Sequence, residues 1–351
     1  MLVRQTAARL VPRCFNTLSL ATDRQSKKSS SFVGKDFLAL KDFSGDEIKN
    51  FLWTALDLKH RIKCNNESFR PLEGKTLAMI FQKKSTRTRT SAEGGFSVLG
   101  GHAIFLSPDD VHLGANETVK DTARVLSRLS DIVLARVYCQ SDQEELASQA
   151  SVPIVNGLSE IYHPLQCLAD FQTLLEHYGH LHGLKMAWVG DGNNIINSLM
   201  MAAPRLGVDL NIATPKGYEV LPDIAKIAGE FAEQCSTKIE YTNDPREACK
   251  DANIIVTDTW INFGQEQERK DRLKTFADFQ VTKKLTSLAA ENWCFLHCLP
   301  RKPNECEVDE EVFYSDRSLV WDEAENRKWT VMSVLLNLLK DYQPTIPKPK
   351  F

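Results

Sequence analysis

The sequence predicts an α/β protein: two doubly wound parallel-sheet domains joined by helices, with the active site in the interdomain cleft. Three observations predict it. Strand-like and helix-like stretches alternate from Leu38 onward, the pattern of parallel sheets covered by helices. The alternation breaks at Gly179 to Gly183 and then restarts, which divides the chain into two units. The notable polar residues fall at the carboxyl ends of the expected strands, where open parallel sheets bind their ligands.

Residues 1–32 stand apart from this pattern. Met1 to Thr22 contains no acidic residue, Arg4, Arg9 and Arg13 recur among Leu, Val and Ala, and Ser and Lys fill Ser26 to Ser31. Such an Arg-rich, Ser-rich, acid-poor segment reads as a mitochondrial transit peptide, with a disordered tail as the alternative. A secretory signal needs a continuous apolar core, which the arginines interrupt.

The first unit spans 33–178. Ser44 with Glu47 forms a capping box that opens a helix through about Ile62. Strands are expected at Thr76–Phe81, His102–Leu106, Asp131–Val137 and Pro153–Asn156, with helices between them, one opened by Ser141 with Glu144. A long helix, Pro164 to Tyr178, closes the unit. The second unit, 183–322, carries strands at Lys185–Val189, Asp209–Thr214, Lys238–Tyr241, Asn253–Thr257 and Trp293–Cys298. A final helix, within 323–342, places Trp329, Met332, Leu335, Leu336 and Leu339 on one stripe and is expected to pack back on the first unit.

Composition narrows the function. An apolar content of 42% allows sizeable cores, and a net charge of −3 argues against a general nucleic-acid or membrane surface. No segment approaches the ~18 uninterrupted apolar residues of a membrane span. The nine cysteines include no Cys-x-x-Cys pair, so reduced thiols are expected. No metal is expected either: Cys294, His297 and Cys298 lie close in sequence but as strand residues that alternate faces.

Ser85-Thr86-Arg87-Thr88-Arg89-Thr90 is the most informative run. It joins a strand to a helix, where first-turn amides lack partners and the dipole favours negative charge. Hydroxyls add donors and arginine adds a planar fork for two phosphate oxygens. The run predicts a site for a small phosphorylated ligand. Arg136, flanked by apolar residues at a strand end, calls for an anionic partner. His163 before Pro164 reads equally as a cap or a site residue, Asp258 as an N-cap or a site residue, and Cys298 alone as a buried strand thiol. Gly190-Asp191-Gly192-Asn193-Asn194 lacks the third glycine of a dinucleotide turn, and no acid follows the next strand to hold a ribose.

Taken together, these residues resemble the ornithine carbamoyltransferases of the mitochondrial, urea-cycle type, over about Leu38 to Phe351. The resemblance is carried by the Ser-Thr-Arg-Thr-Arg run at Ser85, Leu134-Ala135-Arg136-Val137-Tyr138, His163-Pro164-Leu165-Gln166, Gly190-Asp191-Gly192-Asn193-Asn194, Asp258-Thr259-Trp260, and His297-Cys298-Leu299-Pro300-Arg301. The first motif marks the wider carbamoyltransferases; His-Cys-Leu-Pro and Asp-Gly-Asn-Asn mark the ornithine branch.

The resemblance implies transfer of a carbamoyl group from carbamoyl phosphate to the δ-amine of L-ornithine, in the mitochondrial matrix, without metal or organic cofactor. It implies a homotrimer with active sites shared between subunits. The first unit would bind carbamoyl phosphate and the second ornithine. Ser85, Thr86, Arg87 and Thr88 would hold the phosphate, and Arg136, His163 and Gln166 the carbamoyl end. His112 would reach in from a neighbouring subunit, and Arg327 would complete the pocket. Asn194 would hold the ornithine carboxylate and Asp258 its α-amino group. Cys298 would sit near the reacting amine as proton acceptor, with Leu299 giving backbone contacts. Arg136, His163, Cys298 and Asp258 would thus be the catalytic set.

One stretch departs from the family. The ornithine loop after Asp-Thr-Trp, which reads Ser-Met-Gly in the family, is Asn262-Phe263-Gly264 here. Asn262 keeps hydrogen-bonding capacity and the Phe263 amide needs no particular side chain, but Phe is bulkier and stiffer than Met. An insertion-like stretch, Asn304-Glu305-Cys306-Glu307, follows the Cys298 motif. Asn262 and Phe263 keep open a carbamoyltransferase for another amine; a catalytically silent relative is the other alternative, and Arg87, Arg136, His163, Asp258 and Cys298, all retained, speak against it.

Overall fold

Thr76–Phe81 (β1) buries both of its faces: Leu77, Met79 and Phe81 enter one core and Ala78 and Ile80 another. A strand that is apolar on both sides belongs in the middle of a sheet covered by helices on each face. In the computed structural model, which describes residues 31–107, 117–261, 266–302 and 307–351 (Glu266 by its backbone alone), β1 holds that place. It lies between β2 (His102–Leu106) and β3 (Ile132–Arg136), and β4 (Ile154–Leu158) follows β3, all parallel. A second parallel sheet has the order β7-β6-β5-β8-β9, from Lys185–Val189 (β5), Asp209–Ala213 (β6), Ile239–Thr242 (β7), Ile254–Thr257 (β8) and Cys294–His297 (β9).

The helices are α1 (Gly45–Lys59), α2 (Thr86–Val98), α3 (Val119–Leu129), α4 (Gln140–Gln149), α5 (Pro164–Tyr178), α6 (Asn194–Ala202), α7 (Pro222–Cys235), α8 (Pro245–Cys249), α9 (Arg269–Thr275), α10 (Lys283–Thr286), α11 (Glu310–Phe313) and α12 (Val320–Leu339). The capping box at α1 forms, with Ser44 Oγ accepting from Glu47 N at 3.2 Å and Glu47 Oε2 accepting from Ser44 N at 2.8 Å. Proline at the first position of α5 forfeits no hydrogen bond, and Gly179, at φ +74°, ends that helix in the left-handed region. No helix among the described residues is long and apolar enough to cross a membrane.

Two helix starts differ from expectation. Ser141 does not cap α4, which begins at Gln140 behind Cys139 with no side-chain cap. The last helix begins at Val320, because its first turns bury Glu323, Asn326 and Arg327, polar residues that an apolar-stripe rule passes over.

α5 and α12 join the two sheets. Leu168 and Phe171 of α5 and Trp329, Met332 and Leu335 of α12 share one core with Met79 beneath the first sheet and Trp188 beneath the second. α12 packs on α1, α2 and α5. In each sheet the chain first winds one way from the starting strand and then the other, so a switch point lies between β1 and β3 and another between β5 and β8. Ligands bind at such points, beyond the carboxyl ends of the strands.

Candidate active site

Both switch points open on one cleft of about 870 Å³, lined by residues 83–88 on one wall and by 191–195, 258, 259 and 261 on the other. On the first wall, Ser85 is the N-cap of α2, its Oγ accepting from Thr88 N at 3.2 Å. The helix therefore points its first amides, and its positive end, into the cleft. Pairing of Phe81 with Arg136 across β1 and β3 brings Arg136 beside that turn. Arg87 reaches across to the other wall and donates to the Leu299 carbonyl.

Buried His163 and Arg327 and partly buried Arg136 form a cluster short of acceptors among the described residues. Arg136 donates to Gly157 O at 3.4 Å, yet among the described residues its buried Nε has no partner, nor do Arg327 Nε and His163 Nδ1. Burial, then Arg327 and Arg87, push Arg136 down to about 9. Burial and Arg87 push Arg327 down to about 10. A guanidinium keeps its proton in such a place and calls for an anion instead. Burial followed by Arg327, Arg136 and Arg87 holds His163 well below the usual imidazole range, so its ring is neutral. The proline after it keeps residue 163 out of the helix, and its N–H donates to Ser198 Oγ of α6 at 2.7 Å. Arg327 itself donates to Gln166 Oε1 at 2.7 Å and to Thr88 Oγ1 at 3.2 Å.

The facing wall is built on a tight turn. Gly192 packs flat against Glu219 and Val220, where a Cβ would lie 2.4 Å from the Glu219 carbonyl oxygen. That close approach, not a nucleotide, explains the glycine. Asn193 caps α6 and donates Nδ2 to Asp258 Oδ2 at 2.9 Å. Asn194 donates to Ser159 O at 2.7 Å, which engages one of its two amide hydrogens. Among the described residues Asp258 caps no helix: residues 258–261 are irregular, and its Oδ1 accepts from Thr259 N at 2.7 Å and from Cys298 Sγ at 3.1 Å.

Cys298 is a thiol, not a resting thiolate. Burial, then the Asp258 and Glu323 carboxyls, push it well above the usual cysteine range. As a proton acceptor Cys298 would first have to give up its own proton. Asp258, His297 and Cys298 do bring one possible ligand atom each within 4.8 Å of one another. Strand alternation did not separate them, because Cys298 lies just past the end of β9. His297 is engaged on both ring nitrogens, Nδ1 with Leu299 N at 2.9 Å and Nε2 with Glu307 at 3.3 Å, so the imidazole braces the turn instead of offering a ligand.

Thus Ser85, Thr86, Arg87, Thr88, Arg136, His163, Asn194, Asp258, Cys298, Leu299 and Arg327 line one cleft, and Gln166 stands behind it bonded to Arg327. His112, Asn262 and Phe263 lie outside the described residues, as do residues 1–30. The sequence reading gives no role to Asn193 or Arg272. Arg272 is buried, pairs with Asp191, and donates Nε to Trp260 O at 2.6 Å, bracing the turn and the segment after Asp258 together. Its position among charged residues on a short surface helix carries no signal in the sequence.

The carbamoyl-P binding domain model of the aspartate/ornithine carbamoyltransferases matches residues 35–176, and their Asp/Orn binding domain model matches residues 182–338. The chain is 57% identical to the mitochondrial ornithine carbamoyltransferase of Aquarana catesbeiana, covering 93% of each, and 54% identical to the mitochondrial ornithine transcarbamylase of Gallus gallus, covering 91% of this chain and 89% of that one. The solved ornithine carbamoyltransferase of Pyrococcus furiosus is similar at 46% identity and a TM-score of 0.86, covering 89% of this chain and 99% of that one. With both halves matched and the fold shared, the chain belongs to the aspartate/ornithine carbamoyltransferase family.

Proposed function

We propose that the protein transfers the carbamoyl group of carbamoyl phosphate to the δ-amine of L-ornithine, giving L-citrulline and phosphate. The observation that carries this reading is the three guanidiniums of Arg87, Arg136 and Arg327, short of anions, facing Asp258, Asn193 and Cys298 across one cleft. One wall suits a phosphorylated acyl donor and the other an amino acid. The relatives named mitochondrial ornithine carbamoyltransferases support the same reaction and a mitochondrial protein.

The first lobe, 33–178 with the last helix, binds carbamoyl phosphate, and the lobe 183–322 binds ornithine. The α2 amides, Ser85, Thr86, Arg87 and Thr88 hold the phosphate, and Arg327 closes the pocket. Arg136 and neutral His163 donate to the carbonyl oxygen as the δ-nitrogen attacks the carbamoyl carbon and that oxygen becomes negative. The carbon–oxygen bond to phosphate then breaks, and the amine's proton ends on the departing phosphate. Asn194 holds the ornithine carboxylate and Asp258 its α-amino group, with Asn193 fixing Asp258. Cys298 donates to Asp258, so it orients that carboxylate as the amine approaches. Residues 1–32 direct the chain to the matrix, His112 of a neighbouring subunit completes the site, and the assembly is a homotrimer. Exposed Ile104, Val125 and Leu129 support an apolar subunit contact.

The test is citrulline formation by the chain from about Val33, with carbamoyl phosphate and varied amine. Ornithine should outrun putrescine and lysine. Preference for another amine would assign the Asn262-Phe263 loop a new substrate, and carbamoyl-phosphate binding without any product would mark a silent relative.

A further inference from the structure

Behind the guanidinium cluster sits a pair of carboxyl groups to which the reaction above gives no role. Asp170 follows Gln166 by one turn on α5, and Glu323 precedes Arg327 by one turn on α12; they are 2% and 1% exposed. Gln166 Nε2 donates to both, to Asp170 Oδ1 at 2.7 Å and to Glu323 Oε1 at 2.7 Å. Its Oε1 is thereby turned toward Arg327, which donates to it at 2.7 Å. One amide nitrogen thus bridges two buried carboxyls, and a single proton held between them would spare the site a second buried charge.

The bonds already made to each carboxyl leave one oxygen free to carry it. Glu323 accepts at both oxygens, from Gln166 at Oε1 and from His297 N at Oε2, the latter at 2.9 Å. Asp170 accepts at Oδ1 alone, so among the described residues its Oδ2 is the oxygen left to donate. Burial pushes both carboxyls up, with Arg327 the facing cation and Asp258 a further negative neighbour of Asp170. Two charges behind one guanidinium would repel each other in a dry site, and none would leave Arg327 uncompensated.

We propose that Asp170 and Glu323 hold one proton between them, on Asp170 Oδ2, and that this singly charged pair positions Gln166 and Arg327 for the phosphorylated substrate; the second half rests on the function proposed above. Both residues are positioning residues. If Gln166 loses either carboxyl, its amide is free to flip and Arg327 to leave Thr88.

Two measurements on the full-length protein test this. The infrared spectrum of the wild type should contain the carbonyl band of a buried protonated acid, and Asp170→Asn should lose it. Persistence of the band in that variant would put the proton elsewhere and overturn the assignment, whether or not the protein makes citrulline. In steady-state kinetics, Asp170→Ala should raise KM for carbamoyl phosphate about 10-fold, the effect of leaving a buried donor unpaired. Asp170→Asn accepts at one atom and donates at the other, so it should restore most of that loss. Glu323→Gln must set an N–H against either Gln166 or His297 and should not restore it. Equal KM values for the two amide variants, or no rescue by Asn, would overturn the positioning role.

Discussion

Arg327 Nη2 donates to Thr88 Oγ1 at 3.2 Å, joining residues 239 positions apart and fastening the last long helix to the first turn of α2. The bond fixes where the first turn of α2 stands relative to α12. Arg327 also bonds Gln166, and among the described residues its buried Nε has no partner, so its fork is spread over two elements with one edge left for an anion.

Arg327→Ala should weaken carbamoyl-phosphate binding by about 10- to 100-fold, the loss of one charge-assisted bond of ~1.5–3 kcal/mol. Isothermal titration with carbamoyl phosphate alone measures it, and an unchanged affinity would remove Arg327 from the pocket.

Arg136 is assigned to the developing oxyanion. Arg136→Gln should lower kcat by about 10²–10³ at saturating carbamoyl phosphate. A change confined to KM would make Arg136 a ground-state ligand of the phosphate instead.

Ornithine's δ-amine resembles that of lysine, near pKa ~10.4, so about one molecule in a thousand is neutral near pH 7.4. Since His163 is neutral and Cys298 protonated near neutrality, kcat/KM for ornithine should rise through pH 6 to 9. A flat profile over that range would contradict attack by the free amine.

The same imidazole makes stability depend on pH. His163 lies well below its unfolded value of 6.5, so on acidification the unfolded chain takes up a proton that the native chain refuses. Its contribution is complete above about pH 6.5 and shrinks as pH falls toward the native value. The melting temperature should therefore drop more between pH 7 and 5 for the wild type than for His163→Gln; parallel curves would mean His163 charges freely in the fold.

Cys298 donates to Asp258 at 3.1 Å, a contact that a serine hydroxyl can keep. Cys298→Ser should retain kcat within about 10-fold, the scale of one hydrogen bond. A fall of three orders of magnitude would restore the thiol as the essential proton acceptor.

Much of this protein was legible in the sequence. The strand and helix alternation is a local matter of side-chain spacing, so Thr76–Phe81, His102–Leu106, Lys185–Val189 and Pro164–Tyr178 are found where the residues predict them. The Ser85 run was legible as a donor-rich helix start because its donors are consecutive and Ser85 caps the helix that follows. Sequence could not show that Asn193 braces Asp258, that Arg272 ties Asp191 to Trp260, or that Asp170 and Glu323 meet behind Gln166. Those pairings depend on how two sheets and α12 come together, and a charged residue looks the same in a sequence whether it faces water or a buried partner. The protonation states of His163 and Cys298 likewise follow from burial and from neighbours distant in the chain, so only the tertiary structure decided them.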